Sequence, residues 1–336
     1  MSKPKIVKYA VFEIDVDKDS YSEVDLSSIN DNHLSQFILK LANDTSSNDS
    51  SRKATFNSSS YAKSAMEELA EKDSTTKLNE LARQLLVTEK DFNLRIKHLN
   101  NSIRPGSLII AKVERSADTF ILMAKIEFSS YLARKSFLLE TGLPQEKSLT
   151  RSCLVKVVNS KIAENVILAG SNGTIPAYWH RGFLASTFLR DNTINTDQAF
   201  KLIESKMSYI RDLSKEDYID LRDCLIGYFK GNKLFNFDEL TENLTEKFTP
   251  ESTKVDLNKL KAKLQVLKKQ DKFDGSFEID KSQVKARVRK KYTLDHDIEL
   301  VTNSGTGKIF QTSKNQKTYV VIESEKVSPD FRNMNF

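Results

Sequence analysis

The chain has 336 residues, a formal net charge of +6 and 39% hydrophobic residues. At about 150 residues per domain this length indicates two domains, and the low counts of glycine (10) and proline (6) exclude a low-complexity chain. No apolar run approaches the ~20 residues of a membrane span and the N-terminus carries no secretory signal, so we expect a soluble, cytoplasmic protein without a transmembrane segment.

The N-terminal part begins with a strand and a helix. Ile6–Ile14 mixes β-branched and aromatic residues, which is typical of a strand. His33–Asn43 places Leu and Phe residues three and four positions apart, which predicts a helix with one apolar face. Thr45–Ser60 is rich in Ser, Asn and Thr, and its low apolar content predicts a flexible surface loop.

Two helices then precede the main sheet. They are predicted at Tyr61–Glu71 and Lys77–Asn100. A period of two follows, which indicates two hairpins with strands at Ser107–Arg115, Thr119–Phe128, Leu149–Asn159 and Asn165–Gly170, the second turning across Ser160–Glu164. Together with the first strand, these predict an antiparallel sheet of four or five strands with helices on one face, which is an α+β fold.

The C-terminal part is predicted to be mostly helical. Helices are expected at Asp197–Arg211, at a segment that Ser214 caps, at Phe237–Lys247 and at Asp256–Gln270. A small β element ends the chain, with Ile298–Thr302 and Lys317–Glu323 as strands around the turn Asn303–Lys308. We therefore divide the chain into an α+β domain, residues 1–175, and a helical, basic domain, residues 176–336.

Motifs for metal, nucleotide or acyl chemistry are not found. The four histidines and the two cysteines, Cys153 and Cys224, lack the spacing of zinc ligands, and the cysteines are predicted to be two buried thiols in a reducing compartment. The acidic turn after the first strand lacks the glycine and glutamate of an EF-hand, and Ser304–Lys308 lacks the remainder of a phosphate loop. No cofactor, metal or enzymatic activity is predicted.

Two groups of residues leave alternatives open. The sheet carboxylates Glu114, Asp118 and Glu127 either lie on a solvated face or hold the metal of a nuclease. Trp179, between Tyr178 and Arg181, either anchors the junction between the two halves or stacks on bases with its neighbours.

The basic residues are concentrated near the C-terminus. Residues 254–291 contain 13 Lys and Arg against 5 Asp and Glu, an excess of eight, which is the pattern of a phosphate-binding surface. As a strand, Lys285, Arg287, Arg289 and Lys291 would lie on one face, whereas a helix would divide them between two faces. The alternative is a solvated face with neutralising ion pairs. The predicted nucleic-acid-binding residues are Lys259, Lys261, Lys263, Lys268, Lys269, Lys281, Lys285, Arg287, Arg289, Lys290 and Lys291.

From about Phe120 to its end, the chain resembles a known family in the pattern and order of its elements. The segments that carry the resemblance are Gly182–Arg190, Lys215–Phe229, Phe237–Leu240, Phe277–Tyr292, Asp297–Leu300 and Lys308–Phe310. They are similar to the bacterial nucleoid-associated proteins of the YejK/NdpA type. The resemblance implies a cytoplasmic bacterial protein that associates with the nucleoid and binds DNA with little sequence preference.

The sequence thus predicts a nucleoid-associated-like DNA-binding protein that contacts the phosphates of double-stranded DNA through its basic C-terminal segment. One alternative is an interaction subunit of an antiphage defence complex, whose basic face binds an acidic or membrane partner encoded in the same operon. Another is a metal-dependent nuclease. A homodimer is left open.

Overall fold

The computed structural model describes residues 4–27, 31–47, 50–72, 76–96, 102–132, 137–144, 150–284, 290–296, 298–302, 309–314 and 317–324. The helices are α1 (Asp31–Ser47), α2 (Tyr61–Lys72), α3 (Thr76–Ile96), α4 (Asn192–Met207), α5 (Lys215–Gly231), α6 (Phe237–Thr245) and α7 (Leu257–Lys269). The strands up to residue 188 are β1 (Lys5–Asp15), β2 (Ser20–Glu23), β3 (Arg52–Phe56), β4 (Gly106–Arg115), β5 (Asp118–Glu127), β6 (Ser129–Leu132), β7 (Leu139–Gly142), β8 (Thr150–Val158), β9 (Lys161–Gly170) and β10 (Ser186–Phe188).

An antiparallel sheet organises the first part of the chain. Eight strands pair in the order β10-β3-β9-β8-β5-β4-β1-β2, and the longest ladder joins β4 to β5. The predicted α+β class with an antiparallel sheet is confirmed, with more strands than the expected four or five. The sheet takes β10 from beyond residue 175, so it draws on both sides of the predicted domain division.

The prediction of a flexible surface loop at Thr45–Ser60 is wrong. Thr45 still belongs to α1, where its buried hydroxyl donates to Ser152 Oγ at 2.7 Å, and Arg52–Phe56 is strand β3, paired with β9 and β10. Arg52 is buried because its Nε donates to Asp274 Oδ2 at 2.9 Å. The carboxylate of Asp274, 222 positions away in sequence, thus compensates the charge of Arg52, which in the sequence alone indicated a solvent-exposed segment.

Helices cover both faces of the sheet, which corrects the expectation of one covered face. α1 packs through Ile38 on the face that carries Val11, and α2 and α3 pack on the face that carries Phe12. Val11 and Phe12 are neighbours on β1 and only 5% and 0% exposed. Successive side chains of a strand point to opposite faces, so two buried neighbours require a cover on each side.

The β8–β9 hairpin turns at two residues, and the predicted turn across Ser160–Glu164 is wrong. Asn159 and Ser160 have φ of 51° and 59°, and β9 begins at Lys161. Two successive residues with positive φ form the tight turn that fits the right-handed twist of paired strands. Lys161 and Glu164, which the prediction placed in the turn, belong to β9.

A second core holds α4–α7 with a two-stranded ribbon, β11 (Leu234–Asn236) and β12 (Ser276–Glu278). Phe235 stacks on Phe277 at 4.5 Å across the ribbon. The predicted cap is confirmed, since Ser214 Oγ accepts from Asp217 N at 3.2 Å. α4 begins five residues before the predicted Asp197, because Asp191 caps it by accepting from Ile194 N at 2.7 Å.

The last described segments form two hairpins, β13 (Lys290–Asp295) with β14 (Ile298–Thr302) and β15 (Ile309–Lys314) with β16 (Lys317–Ile322). The predicted strand at Ile298–Thr302 is confirmed, but its predicted partner is wrong because β16 pairs with β15 instead. The predicted turn Asn303–Lys308 lies outside the described residues.

The two cysteines occupy different environments. Cys153 is buried in the sheet as predicted, whereas Cys224 on α5 is exposed, so the prediction of two buried thiols is wrong for Cys224. In the part of the chain that the structure describes, no helix has both the length and the hydropathy of a membrane span.

Candidate nucleic-acid interface

Helix α7 carries the largest concentration of predicted site residues. Its N-terminus is capped by Asp256, whose carboxylate accepts from Asn258 N at 2.9 Å and from Lys259 N at 3.2 Å. Leu260, Leu264 and Leu267 are each at most 1% exposed and fix the helix against the second core. The helix is therefore rigidly positioned, and its remaining surface is free to carry charge.

Five of the thirteen residues of α7 are lysines and none is acidic. The structure divides these lysines between two sides of the helix. On the side next to α6, Lys261 Nζ lies 2.8 Å from Glu246 Oε1, and Lys268 Nζ lies 2.9 Å from Asp238 Oδ1. The contact with Lys261 lowers the pKa of Glu246. These two lysines thus have part of their charge compensated.

The other side of α7 surrounds a tyrosine. The Nζ atoms of Lys259 and Lys263 lie 5.1 and 4.9 Å from the ring centroid of Tyr209, which is within cation–π range. The Tyr209 hydroxyl donates to Asp256 O at 3.5 Å, and partial burial together with nearby Asp256 raises its pKa. Sequence analysis did not select Tyr209, because its ring meets the lysines only after the chain folds.

Two further predicted site residues are Lys269, the last residue of α7, and Lys281, which follows strand β12. Lys269 is exposed and, within the described ranges, has no ion-pair or hydrogen-bond partner. Lys281 is exposed in a short 3-10 turn, Lys281–Gln283, which Asp280 caps. Lys259 and Lys263 thus form, with Tyr209, a basic aromatic surface on the side of α7 away from Asp238 and Glu246, and Lys269 is an exposed cation at the C-terminal end of the same helix.

The basic segment beyond α7 is only partly described. Lys285, Arg287 and Arg289 lie outside the described residues. Lys290 and Lys291 begin β13, opposite Thr302 and Val301 of β14. The predicted one-sided ladder of cations therefore stays a prediction, although the chain does enter a strand at its end.

A groove between α4 and α5 adds further cations on the same unit. It has a volume of about 660 Å³, and its lining includes Lys201, Arg211, Lys215 and Arg222. Arg222 Nε lies 2.6 Å from Glu204 Oε1, and Arg211 donates to the Tyr218 hydroxyl at 2.8 Å. Ser208, next to Tyr209 in the chain, also lines the groove. The groove therefore adjoins the basic aromatic surface through the 3-10 turn Ser208–Asp212.

The aromatic residues around Trp179 belong to the core of the sheet. Tyr178 and Trp179 are 3% and 0% exposed and sit on a single π-helical turn, Tyr178–Phe183. Trp179 contacts Phe183 at 5.1 Å between ring centroids. Neither ring presents a face to solvent, so base stacking by these two residues is excluded.

The three sheet carboxylates are each paired with a cation. Glu114 lies 2.9 Å from Lys5 Nζ, Asp118 lies 2.7 Å from Lys156 Nζ, and Glu127 lies 2.8 Å from Arg151 Nη1. Among the described residues, no group of three or more His, Cys, Asp or Glu side chains has the arrangement of a metal site. Nothing in this arrangement favours the nuclease alternative.

Comparison of the chain with protein-family models gives no match, and comparison with curated proteins gives none. The resemblance to the nucleoid-associated family therefore stays a prediction. The candidate site rests on the chemistry of α7 and its surroundings.

Proposed function

We propose that this protein binds nucleic acid through the exposed side of α7, with little dependence on sequence. The observation that carries the proposal is the sorting of charge on this helix. Five lysines occur on α7 without a carboxylate. Lys261 and Lys268 contact Glu246 and Asp238, whereas Lys259, Lys263 and Lys269 form no ion pair among the described residues.

The chemistry of this surface fits a phosphate backbone. Lysine ammonium groups act as compact point charges toward phosphates, and duplex DNA presents one negative charge for about every 1.7 Å of its axis. A helix of 13 residues is about 20 Å long, so α7 would run beside several phosphates. All five charged residues of α7 are lysines and none is an arginine, which favours contacts with phosphates that do not depend on sequence, although the exposed amides Asn258 and Gln265 also lie on this helix.

Double-stranded DNA is the expected ligand, in line with the resemblance to bacterial nucleoid-associated proteins, and the nucleoid is the expected location. Lys285, Arg287, Arg289, Lys290 and Lys291 extend the same charge along the chain and are proposed to join the interface.

The proposal is tested by reversing charge at two sites. Lys259→Glu with Lys263→Glu should weaken binding to a random-sequence duplex, measured by fluorescence anisotropy, by about tenfold or more, since 1.4 kcal/mol corresponds to tenfold. The matched control, Lys72→Glu with Lys161→Glu, makes the same change in net charge at exposed positions on α2 and β9. It should bind much more tightly than the α7 variant.

Three outcomes would contradict the proposal. Equal weakening in both variants would mean that only net charge matters. Unchanged binding by the α7 variant would place the interface elsewhere. No binding by the unmodified protein at low salt would reject nucleic-acid binding and leave the basic side of α7 as a surface for an acidic protein.

A further inference from the structure

A wide cleft lies where the edge of the sheet meets the helical unit. Its volume is about 820 Å³, which is within the range of small-ligand sites. One wall is formed by β10 and the π-helical turn, and the other by the start of α4 and by β11 and β12. The residues that matter below are Arg52, His180, Arg181, Phe188, Asp191 and Glu278.

His180 is the most unusual group in this wall. Its side chain is only 5% exposed, and its Nδ1 has no hydrogen-bond partner among the described residues. Burial, with the charges of Arg181 and Arg52 nearby, lowers its pKa to about 4, so the imidazole is neutral near pH 7. A buried polar atom without a partner is rare and calls for a ligand, a water molecule or an ion to satisfy it.

The backbone around His180 is also unusual. Tyr178–Phe183 forms a π-helical turn, a conformation that occurs mostly as single turns and often at functional sites. The turn holds His180 against Phe188, with ring centroids 4.4 Å apart, and the Arg52 guanidinium lies 3.8 Å from the centroid of the same Phe188 ring. The three planar groups form one ordered part of the cleft wall.

Charge is distributed unevenly in the cleft. Arg181 is exposed and has no ion-pair partner among the residues that the structure describes. Arg181 and His180 belong to the wall formed by the π-helical turn. Asp191, which precedes α4, and Glu278 on β12 belong to the other wall. The two carboxylates therefore lie across the cleft from Arg181 and His180.

We propose that the cleft binds a phosphorylated ligand of nucleotide size, with the phosphate at Arg181 and His180 and the hydroxylated part toward Asp191 and Glu278. An unpaired arginine is suited to a phosphate, because its fork of N–H donors matches phosphate oxygens. Carboxylates accept hydrogen bonds from sugar hydroxyls. Phe188, Phe277 and Ile175 supply apolar lining for a flat ring.

The proposal is independent of nucleic-acid binding by α7, since no lysine of α7 lines this cleft. The phosphorylated group could belong to a free mononucleotide or to the terminal nucleotide of a nucleic-acid strand. Both sources share the phosphate monoester, and the experiment below separates them.

Isothermal titration calorimetry of the full chain with 5′-AMP, GMP, CMP and UMP tests the proposal, with inorganic phosphate as a comparison. At least one nucleotide should bind, and more tightly than phosphate. Arg181→Glu should weaken that binding by about tenfold or more, whereas Arg181→Lys, which keeps the charge, should retain most of it. Arg181 is exposed, so both variants are expected to fold, which circular dichroism would check.

Lys259→Glu with Lys263→Glu is the control and should bind the nucleotide as the unmodified protein does. If no free nucleotide binds, a 5′-phosphorylated oligonucleotide should bind more tightly than the same strand with a 5′-hydroxyl, and Arg181→Glu should remove this difference. That result would identify a strand end as the source of the phosphate. No binding by any nucleotide or phosphorylated end, or binding that Arg181→Glu leaves unchanged, would overturn the proposal.

Discussion

Lys125 Nζ lies 3.0 Å from both carboxylate oxygens of Glu89, and both side chains are fully buried between α3 and the sheet. Lys125 also donates to Arg104 O at 3.4 Å. Burial raises the pKa of Glu89 and lowers that of Lys125, because the apolar surroundings penalise both charged forms, while the contact between the two groups opposes both shifts.

We therefore expect Lys125→Met to destabilise the protein by about 3–5 kcal/mol, because it leaves the Glu89 carboxylate buried without its partner. Adding Glu89→Leu to that variant should recover most of the loss, since apolar replacement of both partners removes the uncompensated group. Urea unfolding of the two variants measures the difference. A double variant as unstable as the single one would show that the pair itself contributes the stability.

Asp274 connects the sheet to the helical unit. Its carboxylate accepts from Arg52 Nε at 2.9 Å, from Arg190 Nη1 at 3.0 Å and from Asn195 Nδ2 at 2.9 Å. We expect Asp274→Asn to cost about 3 kcal/mol or more, because buried Arg52 loses the carboxylate that it pairs with, while Arg190 keeps Asp271.

Calorimetry should then show the unfolding of Asp274→Asn separating into two transitions, as the sheet and the helical core lose their connection. The control is Glu114→Gln, which removes the exposed ion pair with Lys5 and should cost less than about 1 kcal/mol. Similar losses in the two variants would argue against this role for Asp274.

His180 predicts a pH dependence of stability. An unfolded histidine binds a proton near pH 6.5, whereas His180 stays neutral to about pH 4. The unfolded state therefore binds more protons between these values, and stability falls as the pH falls from 6.5 to 4, by up to about 3 kcal/mol from this group. The stability difference between the unmodified protein and His180→Phe, from urea unfolding, should change over this window.

His33→Gln, which replaces an exposed histidine, is the control for the removal of an imidazole outside this cleft. A difference between the unmodified protein and His180→Phe that stays constant from pH 6.5 to 4 would mean that His180 titrates normally.

The cysteines should differ sharply in reactivity. Burial raises the pKa of the Cys153 thiol far above its usual range. The pKa of Cys224 is also raised, first by partial burial and then by the negative charges of Asp220 and Asp223. A disulfide reagent should label one thiol of the native protein, faster as the pH rises, and the second only after denaturation. Cys224→Ser should abolish the native labelling; labelling that persists would show that Cys153 is reached in the folded state.

Most of the fold could be predicted from local patterns. The apolar spacing of His33–Asn43 and the cap at Ser214 depend on neighbours in sequence, and both predictions are confirmed. The strand β3 was missed because burial of Arg52 depends on Asp274, which no local pattern reveals. Composition alone cannot distinguish a polar loop from a strand whose charge is neutralised across the fold.

The candidate site shows the same limit. The sequence located the lysines of α7. It could not show that Lys261 contacts Glu246 and Lys268 contacts Asp238, or that Lys259 and Lys263 lie over the ring of Tyr209. These contacts join α7 to other elements of the fold, so no pattern within α7 itself reveals them. Charge counting therefore overestimated the part of α7 available to a phosphate backbone.

The most direct test of the central claim is the salt dependence of duplex binding. Phosphate contacts release counterions, so the logarithm of the binding constant should fall linearly with the logarithm of salt concentration, with a slope of about −0.9 per contact. We predict a steep negative slope for the unmodified protein and one shallower by about 2 for Lys259→Glu with Lys263→Glu. A slope near zero, or the same slope in both proteins, would contradict nucleic-acid binding through α7.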